Sequence, residues 1–224
     1  MYDWANSVYS LTITTAVFPP YYTAITRNAD NNDVIKFFFW ELPNTVLYSY
    51  SLSFSFLFVA VILPLLTGIA DYSGKKKWFM KLFAYTGSLA CIGLFFFTDA
   101  NQVEWGILCA VLASIGYSGS LVFYNSFLPE IVSEDKFDSV SAKGFSFGYI
   151  GSVILLIFNL LMIQMPDLFG LEEGSMPARI SFVTVGLWWI GFSQIPFKYL
   201  PENIYDRKAQ DSYLYKGYRE IKNV

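Results

Sequence analysis

Six long runs of apolar residues, separated by short polar stretches, dominate the hydrophobic pattern of this chain. Each run holds about 20 residues, the length that a helix needs to cross a hydrocarbon core of roughly 30 Å. The pattern therefore predicts an all-α integral membrane protein with six transmembrane helices. Their predicted bounds are residues 3–22, 44–70, 78–98, 104–128, 143–165 and 179–200.

One stretch of the second run carries a conflicting signal. Four serines at alternate positions between Ser49 and Ser55 follow a period of two, which is typical of a β-strand. The run continues without a break into further apolar residues, and an open strand cannot cross lipid because its backbone groups would lack hydrogen-bond partners. We therefore predict a helix here.

The composition agrees with a membrane protein and narrows the function. The chain is 54% hydrophobic and 15% charged, whereas soluble domains carry about 25% charged residues. The chain has no histidine, which removes the commonest general base and metal ligand. No acid pair or activated nucleophile lies at matching depth, so we expect no enzyme, metal or cofactor, and no nucleic-acid partner.

The distribution of basic residues predicts the direction of the helices. Twelve Lys and Arg residues would lie on one side of the membrane, and only Arg27, Lys36 and Arg179 on the other. Basic residues accumulate in cytoplasmic loops. We therefore expect both termini in the cytoplasm of a bacterial inner membrane, with residues 1–200 forming the bundle and residues 201–224 a cytoplasmic tail.

Two predicted spans carry polar residues along one helical face. The first span presents Asp3, Ser7, Ser10 and Thr14 at helical spacing, and the fourth presents Ser114, Ser118 and Asn125, with Tyr117 and Tyr124 beside them. Small hydroxyl residues also join packed helices in membranes, so the serines alone fit either role. Adding Asp3, Asn6 and Asn125, which are costly to place in lipid, favours a water-accessible substrate pathway.

Two acids lie near membrane depth at the cytoplasmic ends of the spans. Asp3 opens the first span and Glu130 follows the fourth. Both are candidate proton sites, and the alternative is a solvated acid at a helix end.

The stretch from Thr67 to Lys77, TGIADYSGKKK, resembles the signature loop of the major facilitator superfamily between its second and third spans. Asp71, Gly74, Lys76 and Lys77 match that signature. Thr67 replaces its leading glycine, and Tyr72 replaces an arginine.

Three further segments resemble the vacuole-effluxer-like branch of that superfamily, which includes fungal vacuolar amino-acid effluxers. These segments are Tyr2–Ser7, Phe123–Glu130 and Ser141–Gly151. They occur along the chain in the right order and on the predicted side of the membrane.

The resemblance implies a fold of twelve helices in two six-helix halves, each built from inverted three-helix repeats, with transport by alternating access. This chain would be the N-terminal half. Spans one and four would line the central cavity, and the loop residues Asp71, Gly74, Lys76 and Lys77 would gate its cytoplasmic side. The signature arginine of proton-coupled members is missing from the fourth span.

The leading expectation is therefore a secondary transporter for a small solute, with amino acids favoured by the resemblance. Its partners would be the lipid bilayer, the solute and a second six-helix half, which is the missing C-terminal half, a second copy or a separate chain. The tail segment Lys216–Glu220 resembles the linker toward that half. The alternative is a non-transporting six-helix assembly or regulatory subunit, or a truncated remnant.

Overall fold

The structure of the chain is a computed structural model that describes residues 1–27 and 33–202. Most of the predicted tail, from position 203 onward, lies outside the described residues. The helices are α1 (Tyr2–Val8), α2 (Phe18–Thr26), α3 (Asn44–Ser73), α4 (Lys76–Gly93), α5 (Val103–Asn125), α6 (Leu128–Ile131), α7 (Phe137–Gln164) and α8 (Met176–Tyr199). Short 3₁₀ turns occupy Leu94–Phe96, Ala100–Gln102, Glu134–Lys136 and Pro166–Phe169.

Five helices within the described ranges are long and apolar enough to cross a membrane, namely α3, α4, α5, α7 and α8. The first predicted span is less regular, because α1 and α2 are joined through a π-helical segment, Tyr9–Val17. The backbone stays helical through all three parts. The predicted all-helical membrane bundle is confirmed.

The π segment has a local cause in the sequence. Its hydrogen bonds reach five residues back, as from the Phe18 N–H to the Ile13 carbonyl. β-Branched residues crowd this stretch, and Pro19 and Pro20 lack the N–H groups that an α-helix would need there. The prolines lie in the first turn of α2, which tolerates proline, and the helix continues past its predicted end to Thr26.

A β-hairpin precedes α3, in a connection where the sequence predicted no element. It pairs β1 (Val34–Phe37) with β2 (Trp40–Pro43) in antiparallel register, with Phe38 and Phe39 at the turn. Asn44 fixes this end of α3, because its Nδ2 donates to Thr26 Oγ1 at 2.9 Å and its backbone N–H donates to Asp33 O at 2.8 Å.

Glycines allow α4, α5 and α8 to pack closely at the centre of the bundle. A Cβ built on Gly116 of α5 would lie 2.7 Å from the Phe83 carbonyl oxygen of α4. A Cβ on Gly186 of α8 would lie 2.6 Å from the Ser88 carbonyl oxygen of α4. Such distances leave no room for a side chain, while the fully buried Trp189 fills the space beside them.

Helix α3 lies at the edge of the bundle and packs mainly against α5. Its serines make helical contacts, since Ser51 and Ser53 donate to the carbonyls of Leu47 and Ser49, four residues back. The strand alternative for this stretch is therefore wrong. Most of the apolar side chains of α3 are at least partly exposed, and α7 also keeps a broad exposed apolar face.

Candidate functional site

Three helices meet at Asp3, in the first turn of α1. The carboxylate oxygen Oδ2 accepts a hydrogen bond from the Tyr124 hydroxyl of α5 at 2.8 Å. A Cβ built on Gly144 of α7 would lie 2.6 Å from the same oxygen, so only glycine lets α7 approach this closely. Asp3 is 8% exposed, and no cation in the described ranges forms an ion pair with it. Such a carboxylate in a membrane helix marks a candidate functional position.

A small pocket adjoins Asp3 at the end of the bundle that carries the Asp71–Lys77 loop. Its volume is about 60 Å³, and its polar lining comes from Asp3, Tyr124, Asn125 and Ser141. Because a cavity needs only about 10–15 Å³ of such space to hold a water molecule, the pocket has room for water. The pocket can therefore hydrate the carboxylate.

Among the other predicted pathway residues of the first span, Ser7 also lies toward α7. Ser7 lies against Gly148, where a built Cβ would be 2.5 Å from Ser7 Oγ. Ser10 and Thr14 are partly exposed, and Ser10 Oγ donates to the Ser7 carbonyl at 3.0 Å. This side of the span is polar and packs against a glycine face.

The predicted pathway residues of α5 divide into two groups. Tyr117 and Ser118 are partly exposed and Asn125 is exposed. Ser114 is buried, and its Oγ accepts a hydrogen bond from Ser55 Oγ at 2.9 Å. This bond joins α3 to α5 and is the type of contact expected of interhelical packing.

Asn6 lies inside the bundle. It is 1% exposed and shares a helical face with Tyr2. The Tyr2 ring packs 5.0 Å from the ring of Tyr124. The Asn6 Nδ2 group has no hydrogen-bond partner within residues 1–27 and 33–202. A buried donor of this kind costs free energy unless it is satisfied at some stage.

Lys76 links the signature loop to α6, the short helix that follows α5. Its Nζ lies 3.0 Å from Asp71 Oδ1, at the end of α3, and 2.8 Å from Glu130 Oε1, in α6. The sequence predicted Asp71 and Lys76 as gate residues and Glu130 as a proton site. The geometry joins all three in one charged cluster.

The rest of the signature loop is held by backbone contacts. Gly74 ends α3 with φ of 65°, in the left-handed region that favours glycine. Lys77 Nζ donates to the Leu200 carbonyl at 2.9 Å and lies 3.6 Å from Glu202. Lys77 therefore ties this loop to the end of α8.

Sequence reasoning missed the role of Tyr124 as the donor to Asp3. It also missed the link between Lys76 and Glu130. Both contacts join residues far apart in the chain, so helical periodicity alone gives no signal for them. Among the residues that the structure describes, no group of His, Cys, Asp or Glu is arranged to hold a metal ion.

Three features define a multi-pass membrane protein of the major facilitator type. They are the helical bundle, the polar faces of the first span and α5, and the charged loop between α3 and α4. The family model described as "Vacuole effluxer Atg22 like" matches residues 1–224. The chain belongs to this family, and the resemblance inferred from its motifs is confirmed.

Similar proteins occur in bacteria and fungi. The chain is 32% identical over 209 residues to the uncharacterized MFS-type transporter YxiO of Bacillus subtilis (strain 168), covering 93% of this chain and 47% of that protein. It is 23% identical over 178 residues to autophagy-related protein 22 of Kluyveromyces lactis, covering 74% and 35% respectively. The chain thus spans less than half the length of these relatives. No solved structure is significantly similar to it.

Proposed function

We propose that the chain forms one half of an alternating-access carrier for a small polar solute. Its pathway runs between the polar sides of the first span and α5, next to α7. The observation that carries this proposal is the Asp3 carboxylate, which is nearly buried, has no cationic partner among the described residues and adjoins a pocket between three helices. Membrane proteins keep such groups where solutes, ions or protons pass.

The pathway in this proposal uses the nearly buried Asp3 and the predicted polar residues that remain partly or fully exposed. The side chains that line the proposed pathway are those of Tyr124 and of the predicted residues Asp3, Ser7, Ser10, Thr14, Tyr117, Ser118 and Asn125. Asn6 and Ser114 contribute from inside the bundle, where Asn6 offers an unpaired donor. Asp3 is the candidate proton site, since its hydroxyl partner Tyr124 leaves the carboxylate without a fixed positive charge.

A second six-helix half completes the pathway in this account. The exposed apolar sides of α3 and α7 support it, because large exposed apolar surfaces mark regions that lipid or another helix must cover. The second half is the rest of a longer protein, a second copy of this chain or a separate chain. Without this second half, the exposed Asn125 of α5 would have no protein covering it.

The Asp71–Lys76–Glu130 cluster is the proposed gate at one end of the pathway. Lys76 bridges the end of α3 and the start of α6, so any movement that separates these helices breaks one of its two ion pairs. The twelve-to-three distribution of basic residues supports a cytoplasmic position for this gate, with both termini inside a bacterial inner membrane.

Amino acids are the first substrate class to test, because the motifs at Tyr2–Ser7, Phe123–Glu130 and Ser141–Gly151 resemble a branch that includes fungal vacuolar amino-acid effluxers. Transport requires no covalent chemistry, and the proposed activity is not enzymatic. A relative's name is a weak guide to substrate, so the assay must present several solutes together.

The test is solute flux in proteoliposomes that contain the protein purified at its native length from its own membrane. Counterflow of a mixture of labelled amino acids should be detectable. It should fall to background in Asp3→Asn and weaken in Asn125→Ala. The matched control is Asn101→Ala, an exposed position outside the spans.

Flux that is absent for every solute, or unchanged in Asp3→Asn, would contradict the proposal. Changes in partner binding without any flux would instead indicate a non-transporting assembly subunit. For the gate, Asp71→Asn combined with Lys76→Gln should change the kinetics of uptake, and unchanged kinetics would show that the cluster does not gate.

A further inference from the structure

Two lysines from different helices flank one line of contact between α4 and α8. The Tyr85 hydroxyl of α4 donates to Gln194 Oε1 of α8 at 3.1 Å. One turn toward the Asp71–Lys77 loop, each helix carries a lysine on the same face. Lys81 precedes Tyr85 by four residues, and Lys198 follows Gln194 by four. We call this line of contact, with its two lysines, the α4–α8 seam.

Neither lysine is neutralised by an acid that the structure describes. The ion pairs within residues 1–27 and 33–202 use other cations. Lys81 is partly exposed, with its Nζ 5.7 Å from the centre of the Phe197 ring, and Lys198 is exposed. The ring attracts the Lys81 ammonium and holds it beside α8. Both positive charges are therefore available to an anion at the seam.

The seam is open and apolar on the side of the lysines that leads toward the middle of the membrane. Leu89 of α4 is 59% exposed, and Leu187 of α8 is 58% exposed. Between the lysine and Leu187 on α8 lies Gly191, where a built Cβ would meet nothing within 4 Å. A cationic rim next to an open apolar channel matches the shape of a phospholipid, in which a phosphate adjoins two acyl chains.

The depth of Lys81 places its ammonium at the boundary of the hydrocarbon core. The apolar helical stretch that begins at Lys76 and ends at Phe96 has 21 residues, or about 31 Å at 1.5 Å per residue. This length barely exceeds a hydrocarbon core of roughly 30 Å. Lys81 therefore starts inside the core, and its long side chain carries the ammonium to the level of the lipid headgroups.

The seam faces away from the proposed pathway. On α5, Gly116 faces α4, because a Cβ built there would lie 2.5 Å from the Gly87 nitrogen. Ser118 follows Gly116 by two residues, about 200° around the helix, so the polar face of α5 points to the other side. The second half must cover that polar face, whereas α4 packs mainly against α5 and α8 behind it. Lipid, and not the second half, is therefore the neighbour expected at the seam.

We propose that the α4–α8 seam binds an anionic phospholipid. Its phosphate would lie between Lys81 and Lys198, and an acyl chain would lie between Leu89 and Leu187. Basic residues at the membrane surface attract anionic lipids, and basic pockets between membrane helices bind their headgroups. The site contains none of the pathway or gate residues, and lipid binding there does not require transport.

The first test measures lipid selectivity in the native-length protein. The protein in detergent is mixed with equal amounts of dioleoylphosphatidylglycerol and dioleoylphosphatidylcholine and examined by native mass spectrometry. The unsubstituted protein should retain mainly phosphatidylglycerol. Lys81→Gln combined with Lys198→Gln should lower this retention about tenfold, or by about 1.4 kcal/mol. Retention of phosphatidylcholine should not change, because its headgroup has no net charge.

The matched control is Lys75→Gln combined with Lys136→Gln. These lysines directly precede α4 and α7, and both are exposed. The control pair removes the same charge from the protein and leaves the seam intact. It should retain phosphatidylglycerol as the unsubstituted protein does.

The second test determines whether lipid or protein covers the two lysines. An amine reagent should modify Lys81 and Lys198 of the unsubstituted native-length protein in lipid-free detergent, as measured by peptide mass mapping. Added phosphatidylglycerol should protect both lysines, and phosphatidylcholine should not.

Three results would overturn the proposal. The first is an equal loss of phosphatidylglycerol in the seam pair and the control pair. The second is equal protection of the two lysines by both lipids. The third is a pair of lysines that stays unreactive without lipid, since a protein segment would then cover the seam.

Discussion

At the residue scale, single polar contacts hold the side chains of the candidate site in position. One hydrogen bond, from Tyr124 to Asp3, joins α5 to α1 across 121 positions of sequence. One lysine, Lys76, satisfies two carboxylates from different helices. Because few other groups could replace either contact, removing one partner should have a measurable effect on stability.

Replacing Tyr124 with Phe tests the first contact. The substitution leaves the nearly buried Asp3 carboxylate without this donor, and it should lower the free energy of unfolding by about 1–3 kcal/mol. Thermal unfolding in detergent measures this change. Tyr199→Phe is the control, because Tyr199 is 76% exposed and its change should stay within about 0.5 kcal/mol. Equal stability of the two variants would show that the bond does not contribute.

A double-mutant cycle of Lys76→Met and Glu130→Gln tests the second contact. Lys76 and Glu130 are partly exposed, so their coupling energy should be only about 0.5–1 kcal/mol. It should decrease as salt is added. Lys75→Met in place of Lys76→Met is the control, since Lys75 is exposed and forms no ion pair with any residue that the structure describes. A coupling of zero at low salt would contradict the bridge.

At the scale of elements, glycine faces decide how closely the helices approach. Gly116 meets Gly87 and Phe83 of α4, and Gly144 and Gly148 meet α1 at Asp3 and Ser7. The sequence predicted the long helices because apolar runs of this length have few other stable forms in lipid. It did not predict the π segment, whose only signal is a β-branched stretch before Pro19 and Pro20.

Gly116→Ala should separate α4 from α5. The added Cβ would lie 2.5 Å from the Gly87 backbone nitrogen, and backbone shifts of this kind cost about 1–3 kcal/mol. Gly191→Ala in α8 is the matched control, because a Cβ there meets nothing within 4 Å. The control should be neutral or slightly stabilising, since alanine favours a helix over glycine. Comparable unfolding temperatures for the two variants would refute this packing.

Only part of the candidate site could be predicted from the sequence. Asp3 and Asn125 stand out in the sequence as polar residues in apolar surroundings, and the structure brings both to one pocket. Ser114 has the same helical phase as Ser118 but is buried against Ser55 of α3. Periodicity identifies a face of one helix, whereas the neighbour that covers each position depends on how the helices cross.

At the scale of the whole molecule, the bundle has a charged end and an aromatic end. The charged end carries the Asp71–Lys77 loop, and the aromatic end carries the hairpin with Phe38, Phe39 and Trp40. The two ends would face opposite sides of the membrane. The polar residues of the proposed pathway lie on the side of the bundle formed by the first span and α5.

Labelling from outside the cell tests the direction of the bundle. Glu172→Cys lies at the aromatic end and Lys75→Cys at the charged end, and both positions are exposed. Because basic residues remain in the cytoplasm, an impermeant maleimide should label Glu172→Cys in intact cells. It should label Lys75→Cys only after permeabilisation. The reverse pattern would overturn the proposed orientation.

The most direct test of the pathway is water access at the middle of the first span. Thr14 is partly exposed at mid-span, while Leu187 is 58% exposed at mid-span of α8 and should face lipid. Thiols react as thiolates, which form only where water reaches them. In the native-length protein, a charged thiol reagent should modify Thr14→Cys rapidly and leave Leu187→Cys unmodified, like the unsubstituted chain. An unreactive Thr14→Cys, or equal reaction at both positions, would contradict a pathway between the first span and α5.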